Sequence, residues 1–549
     1  MEFREFAEKA EKVEELSGDY DKTDEVARLF DESETDCDLE ISARFIQGRV
    51  FASWDDTKLD VGRSLLYDSL SLATGVTADE VEEKVKDMGD VGLAAESFDY
   101  GGQMTLGTTD LTLEYVHRRL SDLAEASGGG SQKKKVRTLS DLFNDATPKE
   151  AKYIARLVAG EMRVGVSEGT VRDAVAEAFD VDVDEVERGL MVTNDAGEVA
   201  VRARDGELSG LRMEVGRPVK PMLAQAGSVE DLIEEAGEVA VETKYDGARL
   251  QIHRNRDTKD AEYKYGYSLF SRKLEDVTES LPDVVEILEE SIQVDESLIL
   301  DSEVVAVEDG EPLAFQEVLR RFRRKYDVDR MTDEVELQVN VFDILYRENQ
   351  GELIDLPLRQ RYSHLDEVVP CNSADHTVTD DLEEVRRVEK KALDDGQEGI
   401  MVKKPGSTYS PGKRGKDWIK VKPEPETLDL IVVGGEWGEG RRADEIGSYL
   451  LAAKDGSDLR TVGKVATGLT DADLGRLTQR FEPLIIHENG KEIEFRPEVV
   501  FEVGYEEIQT SPKYTSGYAL RFPRFLGVRE DKSVDDADTV ERIERLREN

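Results

Sequence analysis

The chain has 549 residues, too many for one hydrophobic core, so three domains are expected. Hydrophobic residues make up 38% of it and aromatic residues 7%, and no apolar run is long enough to cross a bilayer. The N-terminus carries no basic-then-apolar targeting signal, so we expect a cytoplasmic protein without a membrane partner. The two cysteines, Cys37 and Cys371, exclude a four-cysteine zinc site, and a reducing cytosol disfavours a disulfide between them.

The charge of the chain is strongly acidic. There are 122 acidic and 73 basic residues, which gives a net charge of −49. The excess is spread over every region and forms no acidic tail, a pattern typical of halophiles that keep molar salt in the cytoplasm. At about 1 M salt the screening length is about 3 Å, so self-repulsion largely vanishes. Composition alone makes nucleic acid a poor partner, so binding to it would require local basic clusters.

Residues 1–216 are predicted to form a helical domain. Phe3, Phe6, Ala7, Ala10 and Val13 begin a series of apolar residues at helical spacing. A glycine tract at 128–130 interrupts the series. The basic cluster Lys133, Lys134 and Lys135 follows, and two interpretations of it stay open: a solvated loop, or a mobile contact to phosphate.

A second glycine-rich segment, residues 160–169, contains Arg163 and a candidate helix cap at Ser167. Its glycines allow the backbone to approach another molecule closely. Backbone N–H groups and an arginine together suit a phosphate, so the segment is a candidate nucleic-acid contact.

A second domain is predicted over residues 217–424, starting at Pro218 and Pro221, which end the helical part. Strands are expected at 297–307, 338–345, 399–402 and 417–421. A helix at 318–326 carries a second basic cluster, consisting of Arg320, Arg321, Arg323 and Arg324. This cluster is interpreted as a DNA contact or as an exposed helix face paired with carboxylates.

A third domain is predicted over residues 425–549, after the proline-containing segment 423–426. Three strands, a helix at 471–481 and further strands follow one another. That order is typical of a small five-stranded barrel of the oligonucleotide-binding type.

Lys244 is the candidate nucleophile. It lies between the apolar run 239–241 and Gly247, so it is expected at the end of a strand, in a turn that glycine makes easily. A lysine held between buried strands can be desolvated and lose its proton. The alternative for an isolated motif of this kind is a solvated lysine in a hairpin.

Further motifs follow Lys244 in order: Ser271-Arg272, Leu300-Asp301-Ser302-Glu303, Phe342-Asp343, Glu398 to Lys403, Lys413-Arg414-Gly415, Trp418 to Lys422, and Arg529 to Lys532. The series resembles the covalent nucleotidyltransferases, which include DNA ligases, RNA ligases and mRNA capping enzymes. It is most similar to the archaeal ATP-dependent DNA ligases. The resemblance implies an all-α DNA-binding domain, an α+β nucleotidyltransferase domain and a C-terminal OB-fold barrel.

The resemblance also implies a reaction and its site residues. Lys244 would attack the α-phosphate of ATP and then pass AMP to the 5′ phosphate of nicked duplex DNA. The implied cofactor-binding residues are Glu242, Arg249, Arg272, Glu303, Phe342, Arg414, Lys420 and Lys422. Glu303 would contact the ribose, and the arginines would bind phosphates. Phe342 would stack on adenine, with Glu242 beside the edge of the base. Mg²⁺ would be held by Glu303 and Glu398, and pyrophosphate oriented by Arg529, Asp531 and Lys532.

The expected form is a monomer. Residues 103–106 are a candidate contact for a sliding clamp, but this segment lacks the paired aromatic residues that would identify it. Two other functions stay open: a capping-type enzyme that uses GTP, and a non-catalytic nucleic-acid binding module. The large helical domain argues against the first, and the complete set of lysines and carboxylates argues against the second. An NAD-dependent ligase is disfavoured because a four-cysteine zinc site cannot form.

Overall fold

The computed structural model describes residues 1–100, 111–256, 266–308, 310–322, 328–422, 427–438, 445–456 and 458–548. The chain forms two compact units, residues 1–421 and 422–549. The sequence predicted domain boundaries after residues 216 and 424. The boundary after residue 216 falls inside the first unit. The two units divide after residue 421, three residues before the other predicted boundary. None of the described helices combines the length and apolar character that a membrane span requires.

The N-terminal part of the first unit is helical, as predicted. The five apolar residues that start the helical series are all buried. The helices are α1 (Phe3–Glu15), α2 (Asp19–Asp31), α3 (Asp36–Phe45), α4 (Arg63–Thr74), α5 (Ala78–Met88), α6 (Val91–Glu96), α7 (Leu113–Ala124), α8 (Ser131–Asp145), α9 (Pro148–Ala159), α10 (Glu168–Phe179), α11 (Val183–Thr193) and α12 (Ala196–Asp205).

The lysine cluster at 133–135 is helical, so the loop interpretation is wrong. It occupies the start of α8, directly after Gly130, whose φ of 91° ends the glycine tract. Leu139, Leu142 and Phe143 bury one face of this helix, and lysine is itself a good helix former.

The rest of the first unit is an α/β domain built on two sheets. One has the strand order β1-β11-β10-β2-β9, and the other has the order β4-β3-β5-β7-β8 with β6 paired to β5. The strands are β1 (Leu223–Ala226), β2 (Val239–Lys244), β3 (Ala248–Arg254), β4 (Tyr267–Ser271), β5 (Leu298–Glu308), β6 (Glu311–Pro312), β7 (Glu336–Arg347), β8 (Gly351–Glu352), β9 (His376–Thr379), β10 (Gly399–Lys403) and β11 (Arg414–Val421). The helices are α13 (Val229–Ala236), α14 (Pro282–Ser291), α15 (Phe315–Phe322), α16 (Val328–Glu334), α17 (Leu358–Val368) and α18 (Leu382–Asp394).

The two parts of the first unit are joined through a buried polar contact. Gly216 N donates to His253 Nδ1 at 2.8 Å, and Val219 N donates to Gln251 Oε1 at 2.9 Å. Burial lowers the pKa of His253 to about 3, so this ring is neutral and can accept from Gly216. The contact fixes the connecting segment along β3, just before Met222, which lines the cavity described below.

The second unit is an OB-like half-barrel. Its main sheet has seven strands among the described residues, whereas the sequence predicted a five-stranded barrel. The hairpin formed by β15 and β16 is one element that the prediction did not include. The strands are β12 (Thr427–Trp437), β13 (Ile446–Asp455), β14 (Asp458–Val465), β15 (Ile485–Asn489), β16 (Glu492–Phe495), β17 (Val500–Gly504), β18 (Glu507–Thr510), β19 (Tyr518–Arg521) and β20 (Arg524–Val528). The predicted helix is α19 (Asp471–Phe481), and α20 (Val540–Glu548) follows the last strand.

Candidate active site

Lys244 is the last residue of β2. Opposite it on β10 is Gly399, and Glu398 N donates to the carbonyl of Lys244 at 3.0 Å. The Glu398 carboxylate forms an ion pair with Lys244 Nζ. Both side chains are only partly exposed, at 21% and 25%. The lysine is therefore held at a strand end, facing a carboxylate on the neighbouring strand.

Gly247 is required for a reason other than the one the sequence indicated. Its φ is not in the left-handed region. A Cβ at this position would lie 2.4 Å from the carbonyl oxygen of Val304 and 2.9 Å from Glu303 Cγ. The glycine therefore allows the turn after Lys244 to approach β5, which brings Glu303 near the lysine.

A cavity of about 480 Å³ opens beside Lys244. It brings together most of the residues predicted from the sequence to bind nucleotide: Glu242, Arg249, Arg272, Glu303, Phe342, Arg414 and Lys420. The volume is in the range typical of small-molecule sites. Lys422 instead belongs to the second unit, where its Nζ lies 3.5 Å from Glu506 Oε1.

Glu303 has a strongly perturbed carboxyl group in the cavity lining. Burial raises its pKa to about 7, although the positive charges of Arg249 and Lys244 oppose the shift. Asp301 and Glu398 add to the increase, because like charges disfavour a second carboxylate. A carboxyl group that titrates near neutral pH in a cavity is typical of a functional site.

Arg249 is held by protein groups. Its Nε donates to Asp301 Oδ1 at 2.8 Å, its Nη1 to the Met222 carbonyl at 2.6 Å, and its Nη2 to the Tyr409 hydroxyl at 3.0 Å. The guanidinium carbon lies 5.2 Å from the centroid of Phe342. Arg249 therefore packs on the Phe342 ring, a contact that the sequence did not indicate.

The motif at 529–532 lies in the second unit, around an acidic residue that sequence reasoning missed. Arg529 Nη1 donates to both carboxylate oxygens of Asp429 at 3.0 Å, and Lys532 Nζ also pairs with Asp429. Asp531 pairs with Arg529 at 2.8 Å, and that hydrogen bond lowers the pKa of Asp531 to about 2. Asp429 is an acidic residue within the otherwise apolar strand β12, and this unusual position is the sequence feature that could have identified it.

The predicted DNA contacts divide into exposed and buried groups. Lys133 and Lys134 are exposed, whereas Lys135 is buried and donates to the carbonyl of Leu59 at 2.8 Å. Arg163 is 46% exposed and pairs with Glu161 at 2.7 Å.

The basic helix at 315–322 divides in the same way. Arg320 is exposed and pairs with Glu317. Arg321 is fully buried and pairs with Asp283, so it packs inside the domain and does not face a partner. Arg323, Arg324 and the clamp candidate at 103–106 lie outside the described residues.

The carboxylates of the cavity suit Mg²⁺ only together with a substrate. Within the described ranges, no group of three or more histidine, cysteine or acidic side chains is placed to hold a metal ion. Mg²⁺ commonly binds through one or two carboxylates plus phosphate oxygens, and keeps several waters. Glu303, in the cavity lining, and Glu398, which pairs with Lys244, fit that requirement.

Family models match three successive parts of the chain. They are described as DNA ligase N terminus over residues 2–176, ATP dependent DNA ligase domain over residues 221–422, and ATP dependent DNA ligase C terminal region over residues 442–532. Their order is that of the helical part, the α/β domain with the cavity, and the half-barrel. The class that the fold and these matches define is an ATP-dependent DNA-joining enzyme with a helical N-terminal part.

Relatives extend the match over the full length. The DNA ligase of Natronomonas pharaonis is 51% identical over 100% of both chains, and that of Haloferax volcanii is 50% identical over 100% of this chain and 99% of its own. A solved structure named Pmar-Lig_Pre shares the fold, with a TM-score of 0.55 and 16% identity over 96% of this chain and 99% of its own. The chain therefore belongs to the ATP-dependent DNA ligases, close to the haloarchaeal members. ATP is thus its nucleotide, and nicked DNA its substrate.

Proposed function

We propose that Lys244 carries AMP from ATP to the 5′ phosphate of a DNA nick. The observation that supports this most directly is the position of Lys244 at a strand end in the cavity lining, paired with Glu398 and sharing the lining with Glu303. Lys244 Nζ attacks the α-phosphorus of ATP; a nitrogen–phosphorus bond forms and pyrophosphate leaves. An oxygen of the 5′ phosphate then displaces the lysine, and the 3′ hydroxyl finally displaces AMP, which seals the strand.

The ion pair with Glu398 holds Lys244 Nζ in the absence of ATP. An ordinary lysine, with a pKa of about 10.4, is protonated at neutral pH. Attack requires the neutral amine, so Glu398 must release Lys244 first. Bound Mg²⁺ supplies positive charge to the phosphates, and the same carboxylate would hold it.

The remaining residues of the cavity are proposed to bind the nucleotide. Phe342, oriented by Arg249, offers a ring face to adenine, and Glu242 lies beside the edge of the base. Arg272, Arg414 and Lys420 are exposed cations on the cavity lining, where they suit phosphate oxygens. Lys422 is proposed as a further phosphate ligand on sequence grounds alone.

The DNA contacts proposed here are Lys133, Lys134, Arg163 and Arg320, all of which are exposed on the first unit. Lys135 and Arg321 are buried and are therefore not proposed as DNA contacts. A sliding-clamp contact at 103–106 and a monomeric state remain predictions from the sequence.

Sealing of a nicked duplex tests the function. The purified chain is incubated in molar KCl with Mg²⁺ and one nucleotide, ATP, GTP or NAD, and joined strands are separated on a denaturing gel. We expect joining with ATP and little with GTP or NAD. Guanylate on the protein without DNA joining would favour a capping-type enzyme, and DNA binding without any covalent label would favour a binding module.

A further inference from the structure

We propose that Tyr362 and Lys403 fix the carboxylate of Glu242 in one orientation, and that this orientation makes the cavity prefer adenine over guanine. The sequence analysis gave neither residue a role: Lys403 ends one of the motifs, and Tyr362 lies outside all of them. The inference rests on the proposed function, because it assumes that the base of the nucleotide lies beside Glu242.

Tyr362 contacts one oxygen of the Glu242 carboxylate and is not among the residues that line the cavity. It lies on α17, is 4% exposed, and its hydroxyl donates to Glu242 Oε1. Its ring stacks on His376, with centroids 3.9 Å apart and planes at 15°. His376 in turn is the β9 residue paired with Glu242 across the sheet. The tyrosine is thus held by packing, and its hydroxyl has a defined direction.

Lys403 approaches the other oxygen. Its Nζ lies 2.5 Å from Glu242 Oε2, and its side chain is 1% exposed. The ammonium group lies 4.3 Å from the ring centroid of Trp418 and 4.9 Å from that of Phe342. Two aromatic faces partly replace the water that a buried ammonium loses. Glu242, itself 3% exposed, is therefore held between the Tyr362 hydroxyl, which donates to one oxygen, and the Lys403 ammonium group, which forms an ion pair with the other.

A carboxylate held in this way can still bind a base. Each carboxylate oxygen has two acceptor positions, so one on each oxygen is left for a ligand. Adenine presents an amino donor at its 6-position, whereas guanine presents an acceptor there and a donor at its 2-position. A carboxylate that rotates freely can turn to meet either donor pattern. A carboxylate that is fixed opposite the 6-position accepts a hydrogen bond from the amino group of adenine. With guanine it would face the O6 acceptor, and two acceptors repel each other.

The test compares covalent labelling of the full-length protein by α-labelled ATP and GTP in the Tyr362→Phe variant. This change removes one hydroxyl and keeps the stacked ring. We expect the preference for ATP over GTP, measured as the ratio of kcat/KM, to fall about tenfold, as loss of one hydrogen bond to a charged group implies. The fall should come from a higher KM for ATP, with kcat nearly unchanged, since Lys244 and Glu398 are untouched.

Controls separate this effect from general damage to the fold. Tyr267→Phe alters another buried tyrosine of the same domain, outside the cavity lining, and should keep the wild-type ratio. In a Glu242→Ala background, Tyr362→Phe should cause no further change, because its effect passes through Glu242. Lys403→Met should shift the ratio in the same direction as Tyr362→Phe.

Two results would overturn the inference. One is an unchanged ATP-to-GTP ratio in folded Tyr362→Phe protein. The other is an equal loss of kcat with both nucleotides, which would show that Tyr362 only supports the fold. Failure of the proposed function is distinguishable from both, since the wild-type protein would then take no label from ATP.

Discussion

Glu303 shows how the fold changes the chemistry of a single side chain. It faces Arg249 across β5 and β3, near Lys244, and yet burial raises its pKa to about 7. Its ordinary value is 4.5, so between about pH 4.5 and 7 the folded state binds the proton that the unfolded state has lost. Stability contributed by this group therefore falls as pH rises through that window.

Replacement of Glu303 by glutamine should reveal the stability that the folded protein loses when this carboxyl group ionises. We expect Glu303→Gln to raise the melting temperature relative to the wild-type protein at pH 8, where the buried wild-type carboxylate is ionised. Near pH 5 the wild-type group is protonated, so the difference should largely disappear. Thermal unfolding of both proteins at fixed salt measures the effect. Equal melting temperatures of the two proteins at pH 8 would contradict the raised pKa.

At the scale of elements, the sequence predicted the strands that build the site. The strand expected at 399–402 is β10, that at 417–421 is the end of β11, and Lys244 ends β2 as expected. Alternation and apolar runs carry this information locally. The extra hairpin of the half-barrel was missed although its signal is present in the sequence: Asn489-Gly490 is a typical hairpin turn, and Ile493 and Phe495 alternate with glutamates in β16.

The supporting residues of the site could not be predicted in this way. Tyr362 meets Glu242 across 120 residues, and Asp429 meets Arg529 across 100. Neither partner has a spacing or pattern that signals the contact. The need for Gly247 was predicted, but its cause, the approach of β5, depends on a strand more than fifty residues away.

The cluster around Asp429 gives a prediction at this scale. Asp429 is 7% exposed and forms ion pairs with both Arg529 and Lys532. We expect Asp429→Asn, which keeps the size but removes the charge, to slow labelling by ATP about tenfold or more, because the two cations lose their fixed positions. Sealing of DNA that already carries a 5′ adenylate should persist, as it should for Arg529→Ala and Lys532→Ala.

Asp535→Asn is the matched control for this experiment. Asp535 lies near the same motif in sequence, but its side chain is 97% exposed, so its loss should leave labelling unchanged. Equal loss of both reactions in Asp429→Asn would contradict a role confined to the first step.

At the scale of the whole molecule, the acidic excess lies mainly at the surface. Buried carboxylates are few among the described residues, and several have a cationic partner, as Asp343 has Arg361 and Asp301 has Arg249. Exposed ion pairs such as Lys58–Glu275 and Lys413–Glu187 join the helical part to the α/β domain. Such pairs weaken in salt, so in molar salt the shared apolar core must hold these parts together.

The charge predicts how activity depends on salt. Repulsion among surface carboxylates should partly unfold the protein in dilute buffer, and screening should restore it. Sealing should persist in molar KCl, although DNA contacts based on lysine alone would weaken by a log–log slope of about −0.9 per phosphate. Circular dichroism and sealing, measured together from about 0.1 to about 3 M salt, test this. Best folding and activity at the low end would contradict the halophilic interpretation.

The position of AMP on the protein tests the central claim most directly. The protein is incubated with α-labelled ATP without DNA and digested, and the modified peptide is sequenced by mass spectrometry. We expect AMP on Lys244, and no label in folded Lys244→Ala or in Lys244→Arg, since arginine cannot lose its proton. Lys391→Ala, on the exposed face of α18, should label like the wild-type protein. AMP on a different lysine, or label retained in Lys244→Ala, would contradict the account.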